Sequence, residues 1–178
     1  LSSRVIMVTP LFAGEIDLNL LHSLAHRAPL GLDIQGFIRV PVADGLEFRP
    51  WDEMEEGLRN ITYLKVDRAE AEFITGIADL HAAAEKLHTM GPREIVMTES
   101  SGITVSVGGH FYSAPFTPRS LKGRTGRGDT CFSTYIAKRL SLDPQDACRW
   151  AGVITSLKQE VPGPWKGSPQ EVARLLDN

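Results

Sequence analysis

What most restricts the fold of this sequence is a repeated alternation. Short apolar runs that end in a polar residue are separated by longer stretches of helical periodicity. Residues 4–9, 30–34, 61–66 and 94–98 read as short strands, the first of them buried. Between them, residues 17–27 place Leu18, Leu21, Leu24 and Ala25 on one helical face behind Asp17, a suitable N-cap. Residues 51–58 read as a helical turn. Residues 68–75 and 80–90 read as helices, stopped by Gly76 and by Gly91-Pro92. A hairpin is expected over 103–107 and 111–114 around Gly108-Gly109-His110, followed by a Gly- and Pro-rich loop over 115–128. Helices at 130–140, 144–159 and 168–176 complete the chain. Strands separated by helices predict an α/β fold with a largely parallel sheet.

In such a sheet, ligands bind beyond the carboxyl ends of the strands. Thr9, Asp33, Asp67 and Thr98 close the four runs and are expected along one ligand edge, although strands commonly end in polar residues. The formal net charge of −3 supplies no basic field for nucleic acid or an anionic membrane. The apolar runs are too short to span a bilayer. Cys131 and Cys148 form no CxxC pair, so a reduced cytoplasmic protein is expected.

The strongest chemical signal is Gly123-Arg124-Thr125-Gly126-Arg127-Gly128-Asp129-Thr130, which runs directly into the helix that begins Cys131-Phe132. Glycines at 126 and 128 allow the backbone to turn successive N–H groups inward as an anion-binding nest. The helix that follows adds its own free N–H groups and dipole. Asp129, at the junction, either takes a proton from a substrate hydroxyl or serves only as an N-cap. No Gly-Lys-Ser/Thr follows, so this is not a Walker A loop, and no third glycine makes it GxGxxG.

The segment TGRGDTCF resembles the C-terminal signature of PfkB (ribokinase-like) sugar and nucleoside kinases, usually close to TGAGDxF. The resemblance implies Asp129 as catalytic base, with Gly126, Arg127 and Gly128 forming the anion hole. It implies a ribokinase-like three-layer α/β/α sandwich with a mostly parallel central sheet. Arg127 stands where the family has a small residue, and its side chain either reaches a phosphate or faces solvent. Leu64 to Gly76 resembles the family's NxxE segment and its following LTG, with Asp67 for the Asn and Glu70 for the Glu. These residues would organise Mg2+, mainly through water. By spacing alone they are equally a capping box.

Residues 94–102 resemble the TxGxxG turn that lines the nucleotide site, implying Thr98, Ser100 and Gly102 beside ATP. Residues 150–156 resemble the helix beside the adenine and bring Gly152 there, with Gly126 and Gly128 at the phosphates. Residues 32–39 resemble the DxNxR segment of related sugar kinases, with Arg39 facing a phosphate, the substrate or solvent. The basic residues Arg119, Lys122, Arg124 and Arg127 suit ATP better than nucleic acid.

The activity implied is Mg2+-dependent transfer of the ATP γ-phosphoryl group to a hydroxyl of a sugar, polyol or nucleoside. The alternative is a non-catalytic nucleotide- or metabolite-binding module on the same fold, suggested by the altered positions 67, 100 and 127. The family's N-terminal GGxxxN segment and β-lid have no counterpart here. Residues 1–178 are therefore expected to be a single partial domain of a longer polypeptide. Its strand at 4–9 would be either exposed or covered by another segment or a second copy, as in a homodimer. His22 and His26 share a helical spacing for metal ligands but have no third ligand in place, and a structural role is expected. Cys131 is expected to be an inert core residue.

Overall fold

The computed structural model describes residues 3–123 and 125–176. They cluster into two compact units, one of Leu1–Met97 with Ser106–Gly109, the other of Thr98–Val105 with His110–Asn178.

The first unit opens with β1 (Ile6–Val8) and α1 (Leu18–Ala25), whose N-cap Asp17 accepts the Leu20 N–H at 2.7 Å. β2 (Leu30–Asp33) pairs parallel with β1, Val8 facing Leu32. The expected strand over 30–34 ends at Asp33, and α2 (Gln35–Ile38) follows as one helical turn. The Asp33 carboxylate accepts the Gln35 N–H at 3.1 Å, a local turn that competes with further extension. β3 (Arg39–Val42) and β4 (Gly45–Phe48) form a separate antiparallel hairpin, in a segment with no clear strand period. Asp44-Gly45 is the turn signal that marks it.

α3 (Met54–Leu58) leads into β5 (Tyr63–Asp67), parallel to β2 with Leu32 facing Leu64. α4 (Arg68–Thr75) begins with a full capping box and ends at Gly76, whose φ of 71° is left-handed. α5 (Leu80–Thr89) is capped by Asp79, and β6 (Glu94–Thr98) is buried along its length. Leu30, Leu32, Leu64, Val66, Ile95 and Val96 are fully buried and form the sheet core.

The second unit carries β7 (Gly102–Val107), except its last two residues, and β8 (His110–Pro115). α6 (Arg127–Arg139), α7 (Pro144–Gln159) and α8 (Pro169–Leu176) follow. Phe132, Tyr135 and Ile136 of α6 are buried, as are Ala147, Cys148 and Ala151 of α7. The expected helix at 130 begins three residues earlier, because Gly126 takes the N-cap place and its carbonyl accepts the Thr130 N–H at 3.0 Å. The strand order is β1-β2-β5-β6-β7-β8, with β3-β4 apart. This is an α/β fold with a mostly parallel central sheet, as the alternation predicts. Among the described residues no helix is long and apolar enough to cross a membrane.

Candidate active site

In the first unit the sheet edge is built by register. β1, β2 and β5 run parallel, with Val8 facing Leu32 and Leu32 facing Leu64, so Thr9, Asp33 and Asp67 all lie at carboxyl ends. A buried charge cluster forms there. Lys65 Nζ lies 3.1 Å from both Asp33 oxygens and 3.6 Å from Glu70 Oε2. Arg39 Nη2 donates to Glu70 Oε1 at 2.7 Å and to Asp67 Oδ2 at 3.2 Å. Asp67 and Glu70 also exchange the two capping-box bonds, Glu70 N–H to Asp67 Oδ1 at 2.9 Å and Asp67 N–H to Glu70 Oε2 at 2.6 Å. Capping is therefore present here, and the four carboxylate oxygens of Asp67 and Glu70 each accept from a nitrogen.

Burial is the largest influence on both central groups. It pushes the Glu70 carboxyl up, with help from Asp67 and Asp33 and against Lys65. It would pull the Lys65 ammonium down, but Asp33, Glu70 and Asp67 together outweigh it and hold Lys65 above its ordinary value. Three carboxylates share two cations, so one negative charge is left over. That excess fits a nearby cation. The occupied oxygens fit one met through water rather than by direct ligation. Among the described residues no group of three or more His, Cys, Asp and Glu side chains is placed to hold a metal directly. Arg39, open in the sequence between phosphate, substrate and solvent, is bound to Asp67 and Glu70. Lys65 was missed there, although a lysine between Leu64 and Val66 in a buried strand was a signal.

In the second unit the phosphate motif is built around Gly126. Its φ of 77° is the left-handed conformation that a side chain disfavours, and the chain passes directly from it into α6. The N–H groups of Arg127, Gly128 and Asp129 are the first three of that helix and lack partners within it by geometry. Gly126, Arg127 and Gly128 are half-buried, and Asp129 is exposed in the first turn. Because Gly126 holds the N-cap place, Asp129 is not the N-cap. Arg124 lies outside the described residues.

The loop before the motif is fixed to the end of α7. Gly123 N–H donates to the Gln159 carbonyl at 2.9 Å, and Lys158 Nζ donates to the Gly123 carbonyl at 2.9 Å. A β-carbon on Gly123 would fall 1.7 Å from the Val161 carbonyl oxygen, so only glycine fits. Arg119 clasps Glu160 through its backbone N–H, Nε and Nη2, at 2.7 to 3.0 Å. These bonds hold the Glu160 carboxyl below its usual range and take Arg119 out of the expected basic cluster.

Thr98 is buried and Ser100 is exposed. Gly102 and Gly152 both abut β8. A β-carbon on Gly102 would lie 2.5 Å from the Ala114 carbonyl oxygen, and one on Gly152 would lie 2.8 Å from Ala114 Cβ. Close packing thus explains both glycines without a ligand. A cavity of about 460 Å³ opens nearby, lined by residues that include Thr117, Arg119, Val153, Ser156, Glu160 and Arg174. Cys131 and Cys148 are buried, and burial pushes the Cys148 thiol up to about 12, which makes it inert.

No family model matches the sequence, and no curated protein does. Solved structures do. A pyrophosphate-dependent kinase of the ribokinase family, complexed with a pyrophosphate analogue and myo-inositol, is 34% identical, with a TM-score of 0.88 over 98% of this chain and 64% of that one. A pyrophosphate-dependent myo-inositol-1 kinase converted into a myo-inositol-3 kinase is 33% identical, with a TM-score of 0.88 over 99% of this chain and 64% of that one. Ribokinase of Arabidopsis thaliana, complexed with ribose and ATP, is 19% identical, with a TM-score of 0.78 over 99% of this chain and 56% of that one, a likeness of fold alone. This chain therefore spans less than two thirds of these relatives' length. It is similar to kinases described as members of the ribokinase (PfkB-like) family, as a partial-length match to them.

Proposed function

We propose that this chain carries the donor-binding and phosphoryl-transfer part of a kinase that phosphorylates a hydroxyl group of a sugar, polyol or nucleoside. The observation that carries this reading is the start of α6. A left-handed Gly126 opens the helix, three free N–H groups follow, and an exposed Asp129 that is not spent on capping stands in the first turn. Asp129 takes the proton from the acceptor hydroxyl. The resulting oxygen attacks the terminal phosphorus of the donor, and the bond from that phosphorus to the bridging oxygen breaks. The amides of residues 127–129 hold the phosphoryl oxygens as charge moves onto the leaving phosphate. Magnesium, when bound, neutralises charge on the donor phosphates. In the first unit, Asp67 and Glu70 belong to a cluster with one negative charge left over, which suits a hydrated cation.

Inorganic pyrophosphate is the donor favoured here. The relatives near one-third identity are described as pyrophosphate-dependent. Gly102 and Gly152, which the family resemblance assigns to the nucleotide, have a close-packing reason to be glycine against Ala114 and Pro115. ATP remains a second reading, because the cavity beside Arg119 and Ser156 has the volume for a base. The test is an assay of the intact protein with each donor against myo-inositol, ribose and a panel of polyols and nucleosides. Turnover with pyrophosphate and little with ATP is expected. The reverse ranking would favour ATP. Binding of either donor without transfer to any acceptor would leave the non-catalytic module.

A further inference from the structure

Lys158 has no place in the motifs above, yet it is one of the more unusual side chains in the second unit. It stands in the last turn of α7 and is 3% exposed. Its ammonium has three N–H groups, and among the described residues its one hydrogen-bond acceptor is a neutral atom, the Gly123 carbonyl at 2.9 Å. No carboxylate pairs with it there. A buried ammonium without a counter-charge is costly. Such groups are therefore paired or placed to meet an anion.

The neighbours of the side chain include the phosphate motif. The Cε of Lys158 lies 3.9 Å from the β-carbon position of Gly126, the residue that opens α6. The Lys158 side chain therefore packs beside the residue that opens α6, with its ammonium on the loop that leads into it. The next residue, Gln159, is 2% exposed, and its side-chain Nε2 has no acceptor. A buried cation without a carboxylate partner and an unpaired amide donor thus lie side by side at the end of α7, where the loop before the phosphate motif is bonded to it. Lysines in a last helical turn also favour the helix dipole, but that purpose is served equally well in solvent and does not call for burial.

We propose that Lys158 is a donor-phosphate-binding residue, its ammonium contacting the phosphate seated on the amides of residues 127–129. The proposal rests on the phosphotransfer reading above and adds a residue to it. A buried point charge suits a small, highly charged donor such as pyrophosphate, which brings no base or ribose to bind elsewhere.

The test is binding of inorganic pyrophosphate by the intact protein, without acceptor, by calorimetry and by the rise in melting temperature that the ligand produces. Lys158→Gln keeps a donor for the Gly123 carbonyl and removes the charge. It should weaken pyrophosphate binding about tenfold or more, raise KM for the donor more than it lowers kcat, and lose most of the ligand-induced rise. Lys158→Arg, which restores the charge, should recover part of the affinity. A Lys158→Gln protein that binds pyrophosphate as the wild type does would overturn the proposal. Should the variant melt at a lower temperature, an undiminished ligand-induced rise would overturn it equally. If the wild type itself binds neither pyrophosphate nor ATP, the phosphotransfer reading falls as well, so the two failures are distinguishable.

Discussion

Asp129 shows how far one residue's neighbours determine what it can do. A carboxylate in the first turn of a helix commonly finds its use as a cap, but here a glycine occupies that position and leaves Asp129 exposed. Asp129→Asn preserves size and polarity and removes the basic site. In the intact enzyme it should lower turnover by about 100-fold or more. Donor binding by calorimetry and the melting temperature should stay near the wild-type values. Turnover close to normal would assign the proton to another group. The residue itself was legible in the sequence, because GRGD leading into an apolar helix face is a dense signal. Lys158 was not: a lysine near a helix end is ordinary in a sequence, and its burial depends on a loop that returns from 35 residues away.

At the scale of elements, the link between β5 and α4 joins strand, cap and charge cluster in six residues. The boundaries of α4, of β6 and of α7 were readable to the residue, because each is fixed by local chemistry: Asp67 with Glu70, Gly91-Pro92 before the strand, Asp143 before Pro144. The β3–β4 hairpin and the single turn of α2 were not, since Pro41 and the short Gln35–Ile38 segment give no clear period. Nor was the cluster, because sequence spacing does not reveal that Arg39 returns to Asp67 and Glu70. Lys65 makes it testable. Lys65→Met leaves Asp33 and Glu70 buried without their shared cation and should destabilise the protein by about 3–5 kcal/mol in chemical denaturation. The pH dependence has a definite sign. Lys65 is held above its unfolded value of 10.5, so its contribution is complete below that pH and lost as pH rises through the higher folded value. Above pH 10.5 the wild type should therefore lose stability more steeply than Lys65→Met. Parallel slopes would mean that Lys65 gains nothing from its carboxylates.

For the molecule as a whole, β1 stands at the end of the strand order, with no partner strand on its outer side among the described residues. Val5, Ile6 and Met7 are only half-buried there, against a fully buried β2. Unpaired parallel edges recruit other strands. Produced as these 178 residues alone, the chain should associate, with a mass in sedimentation equilibrium that rises above 19.6 kDa with concentration. A constant monomer mass at high concentration would show that the edge is adequately protected as it stands. The charge cluster has a wider consequence, since its five side chains come from β2, β3, β5 and α4 and hold three carboxylates against two cations. No one of these positions can change sign or lose its charge without stranding another, so substitutions there are strongly non-additive. Homologues should therefore cross this region by paired replacements. One that lacks a lysine at 65 should also have lost an acid at 33 or 70, and inheritance at these positions should read as covariation rather than as independent drift.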